Sequence, residues 1–315
     1  MTFFITGGAG YIGQHLASKL SQSNERVVII DKKPQNNFLS GLSNIAMIEL
    51  DISKEESLLG MFSLFQNAEH NDVIFHLAAR KSMSESFLHP NEYLDNNLGG
   101  TRNVISALRN SKMKNIIFSS SASVYGDSAE RPNELTTLKP SSPYALSKVL
   151  EETLLRNEAA SNNMNVLIFR FFNVAGAASP NLVELEGENL IPKAVSCAIQ
   201  NRNFFVNGVD YSTHDGSCVR DYIHVSDVVD ALIKGAAHVR ENTFEILNLG
   251  TGNGYSVLEI LRNINNHIDL AIEFGPRRLG DQASIIADVG KTSKILRWKS
   301  KSDILETISS SIPHL

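Results

Sequence analysis

Near the start of the chain stands FFITGGAGYIG, residues 3–13, which predicts a strand, a glycine-rich loop and a helix in succession. A short apolar run enters a loop of spaced glycines, and apolar residues at helical spacing follow. Gly7 permits a tight turn, Gly10 lets the backbone approach a ligand, and Gly13 lets helix and strand pack closely. The N–H groups of the helix N-terminus then face a pyrophosphate. The glycines fit G-x-x-G-x-x-G (7, 10, 13) and also G-x-G-x-x-G (8, 10, 13), so the loop alone does not choose a subfamily.

A second apolar run, 27–30, ends in Asp31. A dinucleotide-binding fold places at this point the carboxylate that binds the ribose hydroxyls. A carboxylate there also repels a 2′-phosphate, so Asp31 favours NAD over NADP. Lys32 and Lys33 follow and could attract that phosphate, which leaves NADP as the alternative.

Strand-like runs alternate with helical stretches through the first half of the chain. The runs lie at 3–6, 27–31, 45–50, 73–77, 116–120, 166–171 and 246–249, and the helical stretches at 11–21, 57–66, 93–108, 144–160 and about 192–200. Because the runs lack polar alternation, we expect a sheet covered on both faces, and therefore a doubly wound parallel α/β (Rossmann) fold. We predict an NAD-binding domain from 1–172 and about 217–250, and a smaller mixed α/β lobe from about 173–216 and 251–315.

Composition excludes several classes of function. The chain has 315 residues, 42% hydrophobic and 20% charged, with a formal net charge of −5. This mild acidity predicts no nucleic-acid partner, and no run approaches the roughly 20 apolar residues that cross a membrane. No secretory signal is visible, and we expect Cys197 and Cys218 to be free thiols in a cytoplasmic protein. The spacing of His214, Cys218 and His224 matches no zinc pattern, so no metal is predicted.

Tyr144 and Lys148 form a Y-x-x-x-K pair on a helix that Ser142 and Pro143 open. Positions four apart share one helical face, so the ammonium can lie beside the phenol. An ordinary tyrosine, with a pKa of about 10, is a poor base at neutral pH. A neighbouring cation favours the phenolate. The pair is therefore a candidate acid–base group, although the same spacing also occurs by chance on helix surfaces.

A cluster of hydroxyl groups follows the run 116–118 in SSSASVYG, residues 119–126. The carboxyl ends of strands in a doubly wound sheet open onto the ligand crevice. Ser121 can therefore hydrogen-bond a substrate alcohol or carbonyl. Ser119 and Ser120 are interpreted as turn-forming residues.

With these motifs the chain resembles the extended short-chain dehydrogenase/reductase family, and within it the nucleotide-sugar epimerases of the UDP-glucose 4-epimerase type. The resemblance runs nearly end to end. It rests on TGGAGYIG (6–13), Asp31, Asp51-Ile52, HLAARKS (76–82), YLDNNLGGT (93–101), SSSASVYG (119–126), SPYALSK (142–148), RFFNVAGA (170–177), VRDYIHVSD (219–227), LNLGTG (247–252) and RRLGD (277–281).

The resemblance implies roles for individual residues. NAD would contact Gly7, Gly10, Tyr11, Ile12, Gly13, Asp31, Asp51, Ile52, Leu77, Ala78, Ala79, Lys81, Asn97, Tyr144, Lys148 and Phe172. The catalytic group would be Ser121, Tyr144 and Lys148. The nucleotide-sugar substrate would contact Ser121, Asn173, Asn189, Leu190, Phe205, Asn207, Arg220, Arg278 and Asp281. Arginine forks suit phosphate oxygens.

The activity implied is inversion of C4 of a UDP-hexose through a transient 4-keto sugar. Dehydratases of this fold carry an acidic residue after the serine of the fifth strand, where this chain has Ala122, so simple epimerisation is favoured. Ile285 stands where many relatives place Tyr, Cys or Ser, which leaves the accepted sugar open. Two alternatives remain, an epimerase or reductase of another nucleotide sugar and a non-catalytic dinucleotide sensor. The resemblance also implies a homodimer paired through the helices at 93–108 and 144–160.

Overall fold

The computed structural model describes residues 1–23, 25–34, 37–127, 129–241, 244–278 and 280–313. The strands are β1 Thr2–Thr6, β2 Arg26–Asp31, β3 Ile45–Glu49, β4 Val73–His76, β5 Asn115–Ser121, β6 Asn165–Phe171, β7 Asn173–Ala175, β8 Phe204–Asn207, β9 Val219–Arg220, β10 Tyr222–His224, β11 Phe244–Leu249, β12 Tyr255–Ser256, β13 Ile272–Gly275 and β14 Ser284–Ile285. The α-helices are α1 Tyr11–Ser21, α2 Asn37–Ser40, α3 Leu58–Phe65, α4 Met83–Leu88, α5 Pro90–Arg109, α6 Pro143–Asn162, α7 Leu190–Ile199, α8 Val225–His238, α9 Val257–Asn265, α10 Gly290–Leu296 and α11 Ile304–Ser311.

A seven-stranded sheet in the order β11-β6-β5-β4-β1-β2-β3 is the main feature of the fold. The pairs β1–β2, β1–β4, β2–β3 and β4–β5 are parallel. Every residue of β4 is buried, as are four consecutive residues in each of β1 and β2. This burial on both faces explains why these strands lack polar alternation. The predicted doubly wound fold is confirmed.

The predicted elements are present, with shifts at their ends that have local causes. Helix α5 begins at Pro90 rather than at 93, because a proline is tolerated in the first turn, where its missing N–H costs no hydrogen bond. Helix α7 begins at Leu190, which places Pro192 in the first turn for the same reason. The last predicted run, 246–249, is part of β11 at the edge of the sheet.

The chain forms two compact units. The first comprises Met1–Val124, Pro140–Arg170 and Val229–Leu247, and the second Tyr125–Lys139, Phe171–Val228 and Asn248–Leu315. The units differ from the domains expected from the sequence mainly at 125–139 and 217–228, both of which belong to the second unit. Our assignment of functional domains stays a prediction.

Each unit has its own apolar core. In the first unit the core includes Phe4, Ile30, Ile74 and Ile116 from the sheet and Phe65 from α3. In the second unit it forms around α7, α9 and α11. The second unit also carries three small sheets: β7 with β10, β8 with β13, and β9 between β12 and β14. No helix among the described residues is long and apolar enough to cross a bilayer.

Candidate active site

The loop between β1 and α1 is a tight backbone turn that only glycine allows at two points. Gly7 has a φ of +69° and donates its N–H to the Ile30 carbonyl at 2.8 Å. A Cβ on Gly13 would lie 2.3 Å from the Gly7 carbonyl oxygen, so no larger residue fits there. Helix α1 begins at Tyr11 without a side-chain cap. Its first N–H groups are therefore suited to an anionic ligand.

Asp31, at the end of β2, lies beside this loop. One oxygen of its carboxylate accepts the N–H of Ala9 at 3.2 Å, and the other accepts the N–H of Lys33 at 3.1 Å. These two contacts fix the carboxylate next to the turn that the glycines form. The structure therefore brings together the glycine loop and the acid, the two features on which the NAD prediction rests.

Other residues predicted to contact the cofactor are engaged with the backbone or their neighbours. The Asn97 side chain is 1% exposed, accepts the N–H of Arg80 at 2.8 Å, and donates to the Arg80 carbonyl at 3.1 Å and to Ser147 Oγ at 3.0 Å. Asp51 accepts from Ser53 Oγ at 2.7 Å. Asn97 therefore fixes the segment after β4.

The remaining predicted cofactor residues have varied surroundings. The Leu77 N–H donates to the Thr6 carbonyl at 3.1 Å, and Ala78 lies against Gly7. Ile52 is buried, Ile12 and Ala79 are half-buried, and Lys81 is exposed. Phe172 belongs to the second unit, where its N–H donates to the Leu249 carbonyl at 3.0 Å.

Tyr144 and Ser121 are brought together by the start of α6 and the end of β5. Ser142 caps α6 by accepting the N–H of Ala145 at 3.1 Å, and Pro143 occupies the first turn. Tyr144 follows directly, and its hydroxyl is hydrogen-bonded to that of Ser121. Burial raises the pKa of Tyr144 to about 12, the Ser121 hydrogen bond opposes this, and the charge of Glu151 adds to it. Ser123 donates to Ser121 Oγ at 2.9 Å and fixes that hydroxyl in turn.

Lys148 lies one turn further along α6, and its side chain is only 2% exposed. Its ammonium is 3.3 Å from Glu151 Oε2 and 4.5 Å from the centre of the Phe118 ring. Apart from this ion pair with Glu151, Lys148 Nζ has no hydrogen-bond acceptor among the described residues. A buried ammonium with unused donors is suited to bind hydroxyl groups of a ligand.

A buried chain of polar groups behind Lys148 was not predicted from the sequence. His76 Nδ1 is 2.7 Å from Thr6 Oγ1, His76 Nε2 is 2.9 Å from Thr101 Oγ1, and Thr101 donates to Glu151 Oε1 at 2.6 Å. Burial, and after it the charge of Lys148, lowers the pKa of His76 to about 3, so this imidazole is neutral. The signal was present in the sequence, because Glu151 follows Lys148 at the spacing of one helical turn.

A second buried charge pair joins α6 to the sheet. Arg170 forms two hydrogen bonds with Glu152, Nε to Oε1 at 3.0 Å and Nη2 to Oε2 at 2.7 Å. Ser120 Oγ donates to the same Glu152 Oε1 at 2.5 Å. The interpretation of Ser120 as a turn-forming residue is therefore wrong. Its hydroxyl is needed inside β5 because a buried carboxylate requires a donor for each lone pair in use.

In the second unit, Arg220 and Asp281 are close to each other. Arg220 Nη2 lies 3.7 Å from Asp281 Oδ1, and Nη1 donates to the Gln282 carbonyl at 2.8 Å. The neighbouring Asp221 is buried and accepts the Thr251 hydroxyl at 2.7 Å, which holds β9 in place. The arginine is thus held by backbone and acid while its side chain stays partly exposed.

The other predicted substrate residues of this unit are spread over several elements. Asn173 begins β7, Asn189 and Leu190 are at the start of α7, Phe205 and Asn207 are in β8, and Arg278 is exposed. The guanidinium of the adjacent Arg277 lies 4.3 Å from the centre of the Tyr211 ring and is paired with Asp210 at 2.7 Å. Within the described part of the chain, no group of three or more His, Cys, Asp or Glu side chains could hold a metal ion.

Fold and site define a dinucleotide-binding α/β protein with a tyrosine, a serine and a lysine as candidate catalytic groups. The chain belongs to the NAD dependent epimerase/dehydratase family, whose model matches residues 3–250. This confirms the resemblance to nucleotide-sugar epimerases and the prediction of NAD as the cofactor. The roles of individual residues stay predictions.

Three UDP-glucose 4-epimerases are similar to this chain over nearly its whole length. A UDP-glucose 4-epimerase of Mycoplasma genitalium is 36% identical over 97% of this chain and 93% of its own length. A UDP-glucose 4-epimerase from Stenotrophomonas maltophila, solved with NAD and formylated UDP-arabinopyranose, is 32% identical with a TM-score of 0.90, over 99% of this chain and 96% of that one. A UDP-glucose 4-epimerase from Bifidobacterium longum, solved with NAD⁺ and UDP, is 30% identical with a TM-score of 0.89. The match covers 99% of this chain and 97% of that one.

Proposed function

We propose that this protein is an NAD-dependent epimerase that inverts C4 of a UDP-hexose of the UDP-glucose and UDP-galactose type. The observation that carries the proposal is the hydrogen bond between the Ser121 and Tyr144 hydroxyls where β5 ends and α6 begins. The relatives named above, similar over nearly their whole length, support the choice of reaction.

The residues present fit NAD. A Cβ on Gly7 would lie 2.7 Å from the Ala78 backbone and one on Gly13 would strike Gly7, so the loop keeps the short backbone that a pyrophosphate needs. Asp31 would bind the adenine ribose hydroxyls, and Lys148, with its unused donors, would bind those of the nicotinamide ribose. When bound, NAD supplies a reversible acceptor for the hydride at C4 of the sugar.

The chain's own residues would transfer the proton of the sugar 4-hydroxyl. Tyr144 removes the proton from the sugar 4-hydroxyl and later returns it to the 4-oxygen of the other epimer. Ser121 donates to that oxygen while the sugar is in the 4-keto form. The high pKa of Tyr144 suits the return step, and the positive charge of NAD⁺, when it is bound, would favour the removal step.

The second unit is proposed to bind the nucleotide part of the substrate. Arg220, held by Asp281 and a backbone carbonyl, is suited to a diphosphate because a guanidinium binds phosphate oxygens through two hydrogen bonds. Asn173, Asn189, Leu190, Phe205, Asn207 and Arg278 are proposed to contact the remainder of the nucleotide sugar.

The purified protein, with no added cofactor, should convert UDP-galactose to UDP-glucose until the two reach equilibrium. NAD(H) released on denaturation should be found with the protein, because the proposed reaction regenerates it in each cycle. A stoichiometric requirement for NADPH would instead indicate a reductase. Bound NAD without conversion of any nucleotide sugar would indicate a sensor.

The same assay addresses the choice of sugar. Ile285, only 6% exposed, lies in β14 opposite Arg220 of β9. A panel of UDP-glucose, UDP-N-acetylglucosamine and UDP-glucuronic acid, with separation of the products, distinguishes the alternatives. We expect the neutral hexose to be the preferred substrate.

A homodimer and a cytoplasmic location are also proposed. Leu146 and Leu150, on one face of α6, are 42% and 37% exposed and would be covered by a second copy. Sedimentation should then give twice the mass of one chain, and the mass of a single chain would contradict it. Cys197 and Cys218 are free thiols, as expected in a reducing compartment.

A further inference from the structure

Glu151 is a fully buried carboxylate beside Lys148 for which the proposed reaction provides no role. The residue is 0% exposed, and its Oε2 lies 3.3 Å from Lys148 Nζ. Its Oε1 accepts the Thr101 hydroxyl at 2.6 Å. Burying a carboxylate costs free energy even when it is paired with an ammonium, so the position of Glu151 calls for a functional explanation.

The Lys148 ammonium, 3.3 Å from Glu151 Oε2, is the counter-ion of this carboxylate. Because Thr101 donates to Glu151, its oxygen accepts from His76 Nε2, and His76 Nδ1 then accepts from the Thr6 hydroxyl. This order suits a neutral imidazole, which has one donor and one acceptor. Burial raises the pKa of Glu151, and the Lys148 charge and the Thr101 hydrogen bond oppose that rise.

The other ionisable groups around Tyr144 and Glu151 are neutral or paired. His76 of β4 is neutral. The Tyr93 hydroxyl of α5 donates to Glu85 of α4, and Glu85 is paired with Arg80. Glu152 of α6 and Arg170 of β6 are paired with each other. Tyr93 packs edge-on against Tyr144, with ring centres 6.4 Å apart. Among the described residues, Glu151 is the charged group whose charge raises the pKa of Tyr144.

We propose that Glu151 is a positioning residue that holds Lys148 in place and, through its negative charge, sets the pH range in which Tyr144 works as a base. This inference rests on the proposed function. A carboxylate in the site opposes loss of the phenol proton, and Lys148 balances it. The balance suits a reversible epimerase, because the tyrosine that removes a proton from one epimer must return it to the other.

The test is the pH profile of kcat/KM for Glu151→Gln, which keeps the shape of the side chain and removes its charge. We expect the acid limb to move to lower pH by about half a unit or more, because a nearby negative charge that opposed ionisation is lost. Glu151→Asp, which withdraws the carboxylate, should move the limb less in the same direction. Glu158→Gln is the matched control, since Glu158 is buried on the same helix but paired with Arg109.

The proposal is overturned if the acid limb of Glu151→Gln has its midpoint at the same pH as that of the wild type or at a higher pH. An equal shift in the Glu158→Gln control also overturns it. If Glu151→Gln does not fold, Glu151→Asp decides by the same criterion. A wild-type protein without epimerase activity would count against the proposed function alone. In that case the Tyr144 phenol is titrated directly by its tyrosinate absorbance. For each variant, the absorbance of the same variant carrying Tyr144→Phe is subtracted. The pH at the midpoint of the remaining titration must be lower with Glu151→Gln than in the wild type.

Discussion

Replacing Tyr144 with phenylalanine should lower kcat by about 10²–10⁴-fold, the usual contribution of a positioned acid–base group. The phenol oxygen, hydrogen-bonded to Ser121, is the group proposed to move the substrate proton. Phenylalanine keeps the ring that packs against Tyr93. The variant should therefore fold normally and retain its NAD. Turnover of UDP-galactose and the NAD content of the purified protein are the two measurements.

The matched control is Tyr255→Phe, which removes a phenol oxygen elsewhere in the chain and should leave kcat within about twofold, as expected of a change away from the reacting atoms. Near wild-type turnover by Tyr144→Phe, with NAD bound, would show that another group moves the proton. Loss of NAD together with activity would assign Tyr144 a role in cofactor binding.

Replacing Arg170 with methionine should lower the free energy of unfolding by about 3–5 kcal/mol, because it leaves the Glu152 charge buried and unpaired. The side chains of both residues are nearly inaccessible, at 3% and 6% exposure, and two hydrogen bonds join them. Urea unfolding of the purified variant measures the change, provided that the slope of the transition is the same as in the wild type.

Arg109→Met provides the comparison, since Arg109 also pairs with a glutamate of α6 but is half exposed. Its loss should lower the free energy of unfolding by less than the loss of Arg170, because Arg109 is half exposed and Asn162 still donates to Glu158 at 3.0 Å. The double variant Arg170→Met with Glu152→Leu should recover part of the loss, because no buried charge is left without a partner. Equal losses for Arg170→Met and Arg109→Met would contradict this account.

Much of the first unit could be predicted because its signals are local. The runs that became β1, β2 and β4 are apolar throughout, and the turn at Gly7 and Gly13 admits no other residue. The grouping of Ser121 with Tyr144 was implied by the family resemblance, and the rule that strand ends in such a sheet open onto one crevice agrees with it.

The buried charges could not be predicted in the same way. Glu151 and Glu152 are adjacent in the sequence, where two acids on a helix usually indicate a solvated face. The partners of Glu152, Ser120 and Arg170, come from two different strands, so only the folded sheet brings them together. The close approach of Lys148 to the phenol was expected from spacing, whereas the structure places its ammonium beside Glu151.

The Asn97 amide has a consequence for how quickly the cofactor exchanges. Since its oxygen and nitrogen both bind the Arg80 backbone, the loop after β4 is already ordered before any ligand arrives. The conformational entropy of this segment is lost when the chain folds, so it is not lost again when the cofactor binds. Such preorganisation favours a slow release of NAD, as suits a catalyst whose cofactor returns to its starting redox state after every turnover.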